Sequence, residues 1–288
     1  MNRNLIASLH QELRAALEAN AERDPNYSRI GVIWLSRWAL CAMLVGILLY
    51  LVGGYQAGFL YFNGLAAQGP DWPWEWLTLL GDERVAFALT LLFARQHPRV
   101  FWTLICAALL AIAYSRGLKP LLDQPRPPAV LAPESFHLIG PGHHNQSFPS
   151  GHSVTAAVFF AVLVYYAKWL SWRLLFVSLA VLAGLSRIAV GVHWPVDVAA
   201  GLAGGVLAAL IGVWLAGRST WGIHNSSLHL ILIAIAASMA VSLWFDNGGY
   251  AAATLPLRLL SIFALSYAAL VYLVLPYRRT LRHQAQRE

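Results

Sequence analysis

Three short polar blocks interrupt a largely apolar sequence: Lys119 with Arg126 and Pro127, then Pro149-Ser150-Gly151-His152, then Ser186-Arg187 with His193 and Asp197. They bring together three cations, two imidazoles and a carboxylate that follows the second imidazole by one helical turn. This inventory suits phosphoryl transfer. Cations can clamp phosphate oxygens, one imidazole can attack phosphorus while the other protonates the leaving oxygen, and a carboxylate can orient the attacker. The expected chemistry asks for no metal ion and no cofactor.

The elements that must position these groups are membrane-spanning helices. Of 288 residues 58% are hydrophobic and 11% charged, with a mean hydropathy of +0.57, which excludes a soluble globular domain. Apolar runs of roughly 17 to 20 residues, enough to cross about 30 Å of hydrocarbon as helices, recur along the chain. They predict about eight spans, near 34–54, 76–94, 100–117, 152–168, 172–191, 196–216, 229–245 and 257–276. The first begins only after some thirty mostly polar residues, so no cleavable signal peptide is expected. Cys41 and Cys106, the only two cysteines, both fall in apolar spans, and no disulfide is expected.

The formal charge of +7 reads as a topology signal rather than a nucleic-acid surface. With eight spans both termini share one side, and that side collects fourteen of the twenty Lys and Arg residues. The opposite side keeps Arg84, Arg116, Lys119, Arg126, Arg187 and Arg258. The positive-inside bias therefore predicts cytoplasmic termini and an outward-facing site. Three of the six cations held against that bias belong to the polar blocks, which points to chemistry for them. All three blocks fall at the outer ends of neighbouring spans, where short connections let them converge. Pro149 and Gly151 permit a tight entry into the fourth span, whose first N–H groups favour an anion.

Lys119-x6-Arg126-Pro127, Pro149-Ser150-Gly151-His152 and Ser186-Arg187-x5-His193-x3-Asp197 together resemble the three-part signature of the type 2 phosphatidic acid phosphatase (PAP2) superfamily. The resemblance covers the third to the sixth span. It implies an all-α polytopic transmembrane bundle: a six-helix phosphatase core with two further C-terminal spans. The chain then divides into an amphipathic cytoplasmic segment over 1–33, a catalytic unit over 34–216 and an additional two-span region over 217–288 with a basic tail.

The resemblance also implies roles. His193 would be the nucleophile, forming a phosphohistidine, with Asp197 holding its tautomer; His152 would be the general acid and then the base that activates water. Lys119, Arg126 and Arg187 would bind phosphate oxygens, joined by Ser150 and the Gly151 N–H. The implied substrate is a lipid phosphate or diphosphate on the periplasmic face of a bacterial inner membrane, undecaprenyl diphosphate foremost. The bilayer and that lipid are the expected partners. A lipid phosphotransferase and a non-catalytic carrier of lipid phosphates are the alternatives; a vanadium-dependent haloperoxidase shares the signature, but the spans argue against it.

Weaker signals leave their readings open. Asp82, Glu83 and Arg84, near Trp72, Trp74 and Trp76, suit either an interfacial anchor or a support for the catalytic cations. His137, His143 and His144 lack further ligands at metal-binding spacing and suit a headgroup contact better. Leu5, Ile6, Leu9, Leu13 and Leu17 form a helical stripe that could rest on the leaflet or meet protein. The small residues from Ala199 to Ala209 predict close helix packing.

Overall fold

The structure, a computed structural model, describes residues 3–25 and 27–279. The chain there is helical, with no strand among the described residues: α1 (Arg3–Ala21), α2 (Arg29–Gly53), α3 (Phe59–Ala66), α4 (Trp72–Leu79), α5 (Glu83–Thr90), α6 (Pro98–Leu122), α7 (Pro127–Val130), α8 (Gly151–Tyr166), α9 (Leu170–Ala189), α10 (Pro195–Arg218), α11 (Trp221–His224), α12 (Ser226–Ser242) and α13 (Thr254–Ala269). Among the described residues five stretches are long and apolar enough to cross a membrane: Arg29–Gly53, Pro98–Val130, Leu170–Ala189, Pro195–Arg218 and Ala251–Arg279. α8 and α12 are apolar but shorter, at 16 and 17 residues. The protein is a polytopic helical bundle of the membrane.

Helix ends follow local chemistry. Ser28 caps α2 by accepting from the Gly31 N–H at 3.0 Å, and Ser150 caps α8 through the Ser153 N–H. Proline opens α6 and α10, where its missing N–H costs nothing. Asp197, in the first turn of α10, accepts the Trp194 N–H at 2.9 Å, so the carboxylate expected to serve the site also stitches the helix start.

The central helix is α10, packed against α2, α6, α8 and α9. Its small residues make that possible: a β-carbon on Gly201 would stand 2.7 Å from the Ser150 carbonyl oxygen, and one on Gly205 would stand 2.6 Å from that of Val154. The stripe from Ala199 to Ala209 is thus a packing surface, as its composition predicts. Around it runs one apolar core drawn from α2, α6, α8, α9 and α10. A second core joins α5 to α12 and α13 and takes in Ile139, Val190 and Val192 from the loops near the site. The far face of α2, with Leu44, Leu48 and Leu51 exposed, is the kind of surface that lipid covers. Exposed Trp72 and Trp76 at one end of the bundle and Trp169, Trp172 and Trp221 at the other match the two interfacial levels of a bilayer.

Two expected elements take a different form. The stretch expected as one span over 76–94 is broken between two separate helices, the end of α4 and the whole of α5, eight residues each. The break falls at Gly81-Asp82, where Asp82 caps α5 by accepting the Arg84 N–H at 2.7 Å. In the N-terminal helix Leu13 and Leu17 are buried, and α1 packs on α6, α11 and α12, so this part of its stripe meets protein rather than a leaflet. The side chains of Leu5 and Ile6 and the tail residues Arg282 and Arg287 lie outside the described residues. Cys41 is exposed and Cys106 buried, and both are free.

Candidate active site

The three polar blocks converge at the end of the bundle where α6 and α9 finish and α8 and α10 begin. Lys119 stands in the last turn of α6, and its ammonium donates to the Gln146 carbonyl at 3.3 Å. Arg126 precedes α7 and is fastened to the same loop: Nε donates to the Asn145 carbonyl at 2.8 Å and Nη2 to that of Gln146 at 3.4 Å. Its Nη1 reaches His193 Nε2 at 3.1 Å.

That contact assigns the imidazole tautomer. A guanidinium only donates, so Nε2 presents its lone pair and Nδ1 carries the proton. Nδ1 faces Asp197 Oδ2 and Ser147 Oγ, each at 3.4 Å. Asp197 is fully buried and richly solvated by the protein: the Tyr55 and Ser147 hydroxyls and the Trp194 N–H all donate to it. These donors fix the carboxylate in place, and through Oδ2 it orients the His193 ring. His193 is itself 2% exposed. Burial holds its pKa well below the ordinary imidazole value, helped by the fields of Arg126, Arg187 and Lys119. The ring stays neutral and nucleophilic at neutral pH.

Arg187, in the last turn of α9, is 3% exposed. Its Nη1 donates to the Thr78 hydroxyl and, at 3.0 Å, to the Tyr250 hydroxyl, while the buried Nε has no partner among the described residues. His152 stands in the first turn of α8, and its ring makes no hydrogen bond to another described residue. Gly81 lies against it so closely that a β-carbon there would stand 2.7 Å from the His152 Cβ. The Ser150 N–H is spent on the Asp197 carbonyl at 3.1 Å, and its hydroxyl accepts from Ser153 at 2.9 Å while capping α8. Gly151 is the first residue of that helix.

Residues 100–221 match the family model of the PAP2 superfamily. An undecaprenyl-diphosphatase of Sulfolobus acidocaldarius is 32% identical over 189 residues, spanning 61% of this chain and 84% of that protein. The chain belongs to the PAP2 superfamily. A lipid A 1-phosphatase of Rhizobium johnstonii is 35% identical over 120 residues, 39% of this chain and 44% of its own length. The crystal structure of Aquifex aeolicus LpxE superposes with a TM-score of 0.50 at 30% identity, covering 54% of this chain and 92% of that one. With this family and these relatives, the chain is a phosphatase of the hydrolase class.

Several contributors to this PAP2 site carry no motif of their own. Tyr55, Thr78 and Tyr250 reach it from segments outside the three blocks. Ser147 is the exception, since it lies three residues before Ser150 in the second block's own loop. Trp194 is fixed by donating its indole N–H to the Pro125 carbonyl at 2.8 Å, tying the first block to the third.

The loop histidines divide. His137 pairs with Asp71 at 2.8 Å, and its backbone is held on both sides by the buried Asn63. His144 offers its carbonyl to the Arg126 N–H at 2.9 Å. His143, at the exposed rim, is held below its ordinary pKa by desolvation and by the fields of Arg126, Arg187 and Lys119. No group of three or more His, Cys, Asp or Glu among the described residues is arranged to hold a metal ion.

Proposed function

We propose that this protein hydrolyses a lipid phosphate or diphosphate through a phosphohistidine on His193, with undecaprenyl diphosphate as the first candidate substrate. The single observation that carries the reading is the buried His193 ring, held with Nε2 toward Arg126 and Nδ1 toward Asp197. The names of the relatives, an undecaprenyl-diphosphatase and a lipid A 1-phosphatase, support a lipid-borne phosphate as the substrate class.

In the first step the Nε2 lone pair attacks phosphorus as the P–O bond to the leaving group breaks, and His152, which takes up a second ring proton together with the anionic substrate, delivers it to the departing oxygen. Arg126 exchanges its contact with Nε2 for a phosphate oxygen. Lys119, Arg187 and the start of α8, with Ser150 and Gly151, complete the charge stabilisation. In the second step His152, now neutral, takes a proton from water as its oxygen attacks phosphorus. The P–N bond breaks, phosphate leaves and His193 returns to its starting form. Asp197 holds the Nδ1 proton throughout.

We assign the site to the periplasmic face and both termini to the cytoplasm of a bacterial inner membrane, on the distribution of Lys and Arg. In the same reading residues 34–216 form the catalytic unit, and 1–33 and 217–288 are additions to it.

The test is phosphate release by detergent-purified protein, with EDTA present, from undecaprenyl diphosphate, phosphatidylglycerophosphate, phosphatidic acid and lipid A, run beside His193→Ala. The expected result is release by the wild type and none by the variant, which also fails to take up label from a radioactive phosphate donor. Turnover by His193→Ala would move the nucleophile elsewhere. Loss of donor only when a second lipid is supplied would make the protein a phosphotransferase, and an inert wild type would favour the carrier.

A further inference from the structure

We infer that Tyr250, carried on the turn between α12 and α13, is a positioning residue for Arg187, so that the C-terminal helices complete the phosphate site. The inference deepens the phosphatase reading above and rests on it. Tyr250 lies beyond residues 100–221, the segment that matches the family model.

A guanidinium has five N–H donors in a planar fork, two of them on Nη1. Both Nη1 hydrogens of Arg187 are committed, one to the Thr78 hydroxyl of α4 and one to the Tyr250 hydroxyl at 3.0 Å. Two acceptors on one nitrogen fix the rotation of the whole plane. The edge left over is Nε with Nη2, which makes no hydrogen bond to a described residue, and Nε is buried. That edge is the one able to bind two oxygens of a phosphate side by side. Without the Tyr250 hydroxyl the fork keeps a single anchor and can turn.

The turn is built to hold Tyr250 still. Asn247 donates to the Thr254 hydroxyl at 2.9 Å and accepts the Gly249 N–H at 3.0 Å; Asp246 accepts the Gly248 N–H at 2.8 Å. Gly248 and Gly249 adopt φ of 66° and 83°, backbone that favours glycine. The turn is also clamped to the catalytic side. Arg84 of α5 bridges Asp82 at 2.6 Å and Asp246 at 2.8 Å. Glu75 of α4 accepts the Ala252 N–H at 2.7 Å, and Trp76 donates to the Ala252 carbonyl at 2.9 Å. The Tyr250 ring lies against Gly140, where a β-carbon would stand 2.7 Å away. The acidic cluster at the start of α5 thus supports the catalytic cations indirectly, through this turn.

Tyr250→Phe in the full chain keeps the ring and removes the hydroxyl. The expected result is a loss of about tenfold in kcat/KM for lipid phosphate, from one hydrogen bond to a charged group. The melting temperature stays put, and the same change on an Arg187→Lys background has no further effect. An unchanged rate, or a loss that multiplies with that of Arg187→Lys, would overturn the inference and leave the phosphatase reading standing. Binding of inorganic phosphate, followed by calorimetry, reads the anion site without turnover: Tyr250→Phe weakens it, and equal affinity would overturn the inference even if no lipid proved to be a substrate. Asn247→Ala, which frees the turn while keeping Tyr250, is the second variant and is expected to reproduce the same loss; full activity there would count against the proposal.

Discussion

The two ends of α6 face opposite ends of the bundle, 25 residues and so about 37 Å apart, and they treat buried arginine in opposite ways. Near its N-terminus Arg95, 7% exposed, grips both oxygens of Glu12 at 2.7 and 2.8 Å and donates to the Val271 carbonyl. Arg279 adds to the same carboxylate, and His97 pairs with Asp24. Near its C-terminus Lys119, Arg126 and Arg187 gather without a carboxylate at ion-pair distance among the described residues. Asp197, fully buried beside them, spends its oxygens on hydroxyls, a backbone N–H and an imidazole. Paired charge fastens α1 to the bundle. Unpaired charge at the other end is costly in the free protein and would be relieved by an anion, which is how the proposed phosphate site differs from a structural clamp.

Four changes test this contrast, from the largest expected effect to the smallest. Asp197→Asn leaves the shape intact but no longer holds the Nδ1 proton, and kcat should fall roughly a thousandfold or more, as measured by phosphate release. Should the rate persist, the carboxylate would serve only as the α10 stitch.

Thr78→Asp places a counter-ion beside Arg187 and turns the working end into a copy of the clamped end. Its expected cost is about a hundredfold in kcat/KM, with melting unchanged or raised. The added carboxylate also weakens the positive field that, after burial, holds the His193 pKa down. The acid limb of the pH profile should therefore move to higher pH; a limb left in place would mean that His193 does not set it.

Arg95→Ala makes the converse change. It leaves Glu12 without its buried partner and should cost about 3 kcal/mol of stability in thermal unfolding, while kcat of the folded enzyme stays at the wild-type value. A loss of kcat at constant stability would show that the two ends are coupled. Ser147→Ala removes one of the hydroxyls on Asp197 and is expected to lower kcat by about tenfold without changing KM.

How legible the molecule was from its residues depends on the range of the interaction. The helices, their apolar faces and the close approach of α10 follow from local composition, because a chain in lipid must satisfy its backbone within each span. The three blocks identified the cations, imidazoles and carboxylate that meet at one end. The split of the second span into α4 and α5 was less legible, since apolarity alone cannot report that Gly81 must pass against His152. The stripe of α1 was readable as amphipathic, but the choice between lipid and protein lay with Arg95 and Glu12, residues 83 positions apart.

By itself, then, the sequence determined the class of chain and singled out the cations, imidazoles and carboxylate that the structure brings to one end, because those depend on residue type, on spacing within a helix and on counting charge along the spans. Tertiary structure alone decided which hydroxyls hold Asp197, which side of Arg187 is left open and that Tyr250 is brought to it from 63 residues away. Those are hydrogen bonds between segments with no common period, and only the packing of one helix end against another selects them.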